Sequence, residues 1–226
     1  MENTPAKRTI SQAVVRRLPR YYRLLADLLQ KNVDRISSTE FAEIIGSSAS
    51  QVRSDFSLFG EFGQQGYGYN VQYLYSEIGR ILGIDRVHTM IIVGYGNLGH
   101  ALCNHKNFYR RGFLLQGIFD NSPEVIGKKV NELTVLSTEA LPDFLKMHRI
   151  DIAVLCIPST HAKEVAGVLS ANGVRGIWNF SSTDLSLEGE DVEVENVYLT
   201  ESLLTLSYKL TKNEDNRQRI KERADG

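Results

Sequence analysis

From Ile10 to Gln30 the apolar residues Val14, Leu18, Tyr21, Leu25 and Leu28 recur at spacings of four, three, four and three, which puts them on one helix face. Pro19 falls inside the stretch. Proline kinks a helix or opens its first turn, so a bend or restart is expected there. Ser37 and Glu40 stand at capping-box spacing and predict a short helix over Thr39–Ile45, closed by Gly46. Ser48 and Gln51 repeat the spacing and predict a second helix from about Ala49 to Leu58, stopping near Gly60. Two short helices around a tight turn form a helix-turn-helix pattern. Gly60, Gly63, Gly66 and Gly68 then alternate with aromatic residues up to Tyr69, which suits a β-hairpin. A hairpin directly after a helix-turn-helix is the layout of a winged helix. Asn70 caps a further helix to about Leu82, ended by Gly83.

The texture changes at Val87. Thr89–Val93 is a continuous apolar run, as expected of a strand buried on both faces. Phe113–Phe119, Asp151–Ile157 and Gly176–Phe180 repeat it, and Val194–Leu199 is a last strand candidate. Helical patterns lie between several of them, at Leu98–Arg111, Thr138–Met147 and His161–Asn172. Strands alternating with helices predict an α/β Rossmann-like, doubly wound parallel sheet. The stretch from about Thr200 to Arg223 is helical, with Leu203, Leu204, Leu206, Leu210 and Ile220. The expected division is a winged helix over 1–86, a dinucleotide-binding domain over 87–199 and a C-terminal helix over 200–226.

Charge alters this picture only when divided. The 226 residues carry 26 Lys+Arg and 27 Asp+Glu, a net of −1, which gives no support to a nucleic-acid binder. Residues 1–36 hold eight basic and three acidic side chains, a net of +5, leaving −6 on the other 190. A basic head on an acidic body fits a small polyanion-binding module joined to something else. The two cysteines, Cys103 and Cys156, are too few for a disulfide scaffold and read as buried, inert thiols. No His/Cys cluster has zinc spacing, so no metal is expected. No apolar run approaches a membrane span. The expectation is a cytoplasmic protein.

Gly94-Tyr95-Gly96-Asn97-Leu98-Gly99 is G-x-G-x-x-G, and it directly follows a strand and opens a helix. Gly94 permits the tight turn, Gly96 lets the backbone approach a pyrophosphate, and Gly99 lets the helix pack on the sheet. Asp120 lies 21 residues beyond Gly99, at the end of the next strand. An acid there accepts hydrogen bonds from the adenine-ribose hydroxyls and repels a 2′-phosphate, so NADH and NAD+ are favoured over their phosphorylated counterparts. The competing reading is a glycine turn that binds another nucleotide, such as coenzyme A. Ile157-Pro158 and Asn179-Phe180 end later strands at the ligand-binding edge and are candidates for the nicotinamide side.

A dehydrogenase also needs an acid–base group and a substrate domain. After the sheet only one helix remains. His105, His161 and Lys163 have no evident carboxylate orienter and read as surface residues. No catalytic residue is assigned.

The blocks Arg17–Arg23, Ser50–Phe56, Phe59-Gly60 with Gly63, Gly66–Val71, Gly94–Gly99, Phe119-Asp120, Ile177–Phe180 and Val194–Val197 together resemble Rex, the family of bacterial redox-sensing transcriptional repressors, over essentially the whole chain. The resemblance implies a homodimer whose winged helices bind palindromic operator DNA. It implies a C-terminal helix swapped onto the partner chain, and release from DNA when NADH binds. Carried over by residue, Gln51 and Arg53 match the family's recognition helix, with Ser48, Ser50 and Ser54 beside them. Relatives often carry lysine where this chain has Ser54. Gly66, Tyr67 and Gly68 form the wing, which has no Lys or Arg between Arg53 and Arg80. Arg16, Arg17 and Arg20, with Lys7 and Arg8, would then supply phosphate contacts, and Arg23 would couple the domains. The alternatives are a small NAD-dependent oxidoreductase with an N-terminal interaction domain, and a nucleotide-binding protein whose first helices serve only dimerisation.

Overall fold

The apolar stripe over residues 10–30 folds as two helices. α1 (Gln12–Val15) stops short, and α2 (Leu18–Gln30) restarts with Pro19 in its first turn, where a missing N–H costs nothing. In this computed structural model, residues 10–58, 63–64, 67–187 and 191–224 are described. The chain divides into two compact units, Met1–Arg86 and Val87–Gly226.

In the first unit, β1 (Arg35–Ile36) leads into α3 (Ser38–Ile45). Ser37 and Glu40 close the expected capping box, and Gly46 ends the helix at φ 62°, a left-handed position that suits glycine. α4 (Ala49–Ser57) starts under Ser48, whose side chain accepts from the Gln51 amide. The reciprocal half of that box is not made, because the Gln51 side chain turns along the helix to Asp55. β2 (Gly63–Gln64) and β3 (Gly68–Asn70) form the hairpin, and β1 adds to β3 as a third strand. Asn70 caps α5 (Val71–Ile81). Val14, Leu18, Tyr21, Leu25 and Leu28 are all buried, against Phe41, Val52, Phe56, Leu74 and Ile78. Tyr21, Phe41 and Phe56 meet edge to face, with centroids 5.2–5.8 Å apart. Side chains of this size each contribute about 1.5–3 kcal/mol on burial, so the core fixes how α4 sits on α2.

The second unit is a seven-stranded sheet of β4 (His88–Val93), β5 (Phe113–Asp120), β6 (Lys129–Val130), β7 (Leu133–Ser137), β8 (Ile152–Leu155), β9 (Gly176–Asn179) and β10 (Glu193–Asn196). Its order is β10-β9-β8-β4-β5-β7-β6, parallel throughout except for β6. The chain winds outward from β4 in one direction and from β8 in the other, so a topological switch point lies between them. Ile91, Val93, Leu155 and Ile177 pack toward one side, with residues of α8 (Leu141–Met147) and α9 (Ser159–Ala171). Met90, Ile92 and Val154 pack toward the other, with Leu102, Cys103 and Phe108.

Three features depart from the sequence pattern. The helix expected over 98–111 is broken into α6 (Asn97–Cys103) and α7 (Asn107–Arg110), where the Asn104 side chain donates to the His100 carbonyl and competes with the backbone. The pair β6–β7 was not foreseen, because only Val130 and Val135 of its residues are buried. The strand expected over 194–199 ends at Asn196, and α10 (Leu199–Ala224) follows. Cys103 and Cys156 are half-buried, and burial pushes the thiols up to about 11 and about 12, so both stay protonated at neutral pH. Among the described residues no helix is long and apolar enough to cross a membrane, and no His/Cys/Asp/Glu group is placed to hold a metal.

Candidate functional site

Each unit carries one candidate site. In the second unit it begins where β4 ends. Gly94 turns at φ 99°, and a Cβ there would lie 2.4 Å from the Cys156 carbonyl oxygen, so the loop runs hard against the end of β8. A Cβ on Gly99 would lie 1.9 Å from the Gly94 carbonyl oxygen, which explains glycine where α6 crosses the strand end. Gly96 is different. Its φ is −70°, open to any residue, and a Cβ on it would meet nothing within 4 Å. The fold itself has no use for glycine at this position, and the space above it is a cradle that a phosphate can approach. Gly96 is also the N-cap of α6 and offers no side chain to the amides of Asn97, Leu98 and Gly99.

Asp120 ends β5 beside this loop. Its Oδ2 accepts from the Tyr95 amide at 2.5 Å and its Oδ1 from the Ser122 amide at 2.8 Å. Two of roughly four acceptor positions on the carboxylate are thereby used, which leaves capacity for two hydroxyl donors. A cleft of about 310 Å³ joins Gly94, Asp120, Ile157 and Pro158, with Leu141, Pro142, Val165 and Val168 as apolar walls. The apolar part of this lining suits a flat ring.

Ile157 and Pro158 thus share the Asp120 side of the loop. Asn179 and Phe180 do not line this cleft. The Asn179 side chain is buried and saturated: Nδ2 donates to the Thr183 carbonyl and to Asn196 Oδ1, and Oδ1 accepts from the Ser181 amide and hydroxyl. It pins β9 to β10 across a crossover that lacks a helix in its described part, so its amide is not available to a ligand. Phe180 packs on Trp178, with centroids 4.6 Å apart, in the apolar cluster that includes Phe108. His161 lines the cleft with no ring hydrogen bond to a carboxylate among the described residues.

In the first unit, Ser50, Arg53 and Ser54 are exposed on α4. Ser48 and Ser50 share a hydroxyl hydrogen bond of 3.0 Å. Arg53 Nη1 donates to Ser38 Oγ at 3.2 Å, an exposed contact worth about 1 kcal/mol or less. Arg16, Arg20 and Arg23 are exposed and make no ion pair among the described residues. Arg17 departs from the expected phosphate contact. Its guanidinium grips Asp55 in a bidentate pair, Nε to Oδ2 and Nη2 to Oδ1, both at 2.7 Å. Tyr67 is 70 % exposed in the wing, and Gly68 sits in β3, where a Cβ would lie 2.8 Å from the Ile36 carbonyl oxygen. Gly66, Lys7 and Arg8 lie outside the described residues.

Arg35 joins this site without any signal in the local sequence pattern. It stands on β1, paired opposite Asn70, and its Nη1 donates to the Tyr67 carbonyl at 3.3 Å. A cation therefore joins a wing that has none in its own stretch of sequence. A two-residue strand leaves no periodic signal, and the alternation of exposed Arg35 with buried Ile36 emerges only in the fold.

Residues 9–57 match the family model described as putative DNA-binding protein N-terminus, and residues 85–183 match the one described as CoA binding domain. The redox-sensing transcriptional repressor Rex of Caldicellulosiruptor bescii is 50 % identical over 215 residues, covering 95 % of this chain and 99 % of that protein. Among solved structures, RSP in complex with β-NAD+ and operator DNA aligns with a TM-score of 0.85 at 47 % identity, over 94 % of this chain and 97 % of the other. RSP in complex with β-NADH aligns with a TM-score of 0.86 at 44 % identity, over 94 % and 99 %.

Proposed function

The chain belongs to the Rex family of redox-sensing transcriptional repressors, and from that premise we propose how its own residues divide the work of sensing NADH and holding operator DNA. It is a regulator rather than an enzyme, and the cofactors are NADH and NAD+. The observation that carries the reading is the open cradle at Gly96 beside Asp120, in one chain with a winged helix whose second helix exposes Ser50, Arg53 and Ser54.

The amides of Asn97, Leu98 and Gly99 would hold the pyrophosphate. Asp120 would take the two adenine-ribose hydroxyls, and Leu141, Pro142, Ile157 and Pro158 would flank the adenine. The carboxylate also separates this site from coenzyme A, whose ribose carries a 3′-phosphate that Asp120 would repel, as it would the 2′-phosphate of NADPH. When bound, the cofactor supplies a nicotinamide whose redox state changes its charge and shape.

On the DNA side, Arg53, Ser54 and Gln51 face the major groove. Tyr67, Gly66, Gly68 and Arg35 serve the wing, and Arg16, Arg20, Ser48 and Ser50 contact phosphates. Arg17 acts from behind, through Asp55. Leu199, Leu203, Leu204, Leu206, Tyr208 and Leu210 are all more than half exposed on α10 in the single chain, an apolar surface that supports a swapped dimerisation helix in a homodimer. Two half-sites then require two recognition helices at a fixed spacing, and Arg23 would couple head to core. A repressor works where the DNA is, so we place the protein in the cytoplasm.

NADH releases the operator only by binding the DNA-incompetent arrangement more tightly. By linkage, operator must weaken NADH binding by the same factor. The test is an operator-binding titration at fixed salt with NADH and with NAD+, paired with NADH fluorescence titrations with and without operator. Release by NADH and a matched loss of NADH affinity are expected. Equal NADH affinity in both conditions would sink the reading.

A further inference from the structure

The Asp55 carboxylate is fully buried and receives four hydrogen bonds. Arg17 Nε and Tyr21 OH donate to Oδ2, and Arg17 Nη2 and Gln51 Nε2 donate to Oδ1, all at 2.7–2.8 Å. Two donors on each oxygen saturate a carboxylate. Burial pushes its pKa up, but the hydrogen bonds from Arg17, Tyr21 and Gln51 outweigh that and hold it below the ordinary carboxylate range. Asp55 is therefore ionised at neutral pH and can only accept.

That fixes the polarity of Gln51. Its nitrogen must face Asp55, and its oxygen must face away. No hydrogen bond reaches Gln51 Oε1 among the described residues. Gln51 stands in the first turn of α4, beside exposed Ser50, and the first residues of the second helix in a helix-turn-helix are those that reach base edges.

We propose that Asp55 is a positioning residue for base readout: it locks the Gln51 amide so that Oε1 and the remaining N–H are offered together, the pair that matches N6–H and N7 of an adenine in the major groove. The same carboxylate ties α4 to α2 through Arg17, so one buried group sets both the seating of the helix and the sense of its reading amide. An untethered glutamine samples both orientations, and one of them presents a donor to a donor. The inference rests on the operator-binding function above and assigns it a residue that touches no base.

The test measures binding to an operator selected by the wild-type protein from randomised palindromes, and to a panel with each half-site base pair replaced in turn. Wild type, Asp55→Asn, Gln51→Ala and the double variant are compared at fixed salt. In the wild type, replacing one A·T pair in each half-site is expected to cost roughly tenfold or more, in keeping with a bidentate base contact. Asp55→Asn and Gln51→Ala should each reduce that penalty to below about threefold, with no further loss in the double variant and unchanged NADH affinity. A uniform loss across the panel would mark Asp55 as merely structural and overturn the proposal. Gln51→Ala retaining the A·T preference would overturn it too, even were Asp55→Asn unable to fold. Wild-type protein that selects no operator would remove the underlying function. Wild-type binding and NADH release with the preference intact in both variants would remove only the positioning role.

Discussion

The helices that open the two candidate sites, α4 and α6, begin in opposite ways. α4 starts under Ser48, whose hydroxyl takes the Gln51 amide, so a protein side chain already holds one of its first-turn donors. α6 starts at Gly96, which has no side chain to give, so its first amides remain for a ligand. A capped helix presents side chains, and their identity decides what is read. An uncapped one presents backbone, and what it binds is a phosphate of any sequence context. The difference suits one unit that must choose among DNA sequences and another that must recognise a single cofactor. It also explains where the polar anchoring sits. Asp55 braces a side chain on α4, that of Gln51, whereas Asp120 braces a backbone amide, that of Tyr95.

The largest effect expected is at Gly99. Alanine there places Cβ 1.9 Å from a backbone oxygen, so Gly99→Ala should destabilise the second unit by about 3 kcal/mol or more. The single tryptophan, Trp178, reports on that unit alone, and its unfolding curve checks the loss. The α4 side of the comparison depends on an ionised carboxylate. At pH 7 Asp55→Asn should cost about 2–3 kcal/mol, toward the low end for a broken buried pair because the Arg17 side chain is 33 % exposed. The folded-state pKa of Asp55 is depressed, so this stability is present above the unfolded carboxylate value and is lost as pH falls through the folded one. The gap in thermal midpoint between wild type and variant should therefore shrink below about pH 4. A gap that persists unchanged into acid would show that the charge of Asp55 contributes nothing.

Gly96→Ser converts the start of α6 into one like that of α4. Folding stability should change by only a few tenths of a kcal/mol, while NADH affinity falls about tenfold or more, since a hydroxyl now competes for the amides and fills the cradle. Fluorescence titration separates the two effects, and undiminished affinity would break the comparison. The smallest effect is at Ser48. Removing the cap with Ser48→Ala should cost the first unit about 1 kcal/mol and leave NADH binding unchanged, read by thermal unfolding and by titration.

The glycine loop and Asp120 were legible before folding because their chemistry is local: a turn, a helix start and an acid at the end of the next strand. The capping box at Ser37–Glu40 was legible for the same reason. Arg17 was not. On a helix surface an arginine reads as a phosphate ligand until its partner is known, and that partner, Asp55, is 38 residues away. Asn179 looked like a strand-end ligand residue; its four hydrogen bonds go to residues up to 17 positions distant. Arg35 entered the wing through a strand too short to leave a pattern.

By itself the sequence determined the order of elements, the division of charge, the nucleotide loop and the family resemblance, since each follows from spacing along one segment or from residue type. Only the tertiary structure decided which polar side chains face a ligand and which are held by the protein. That choice depends on burial and on partners from distant segments, and a buried carboxylate such as Asp55 is tolerable only where folding brings it four donors at once.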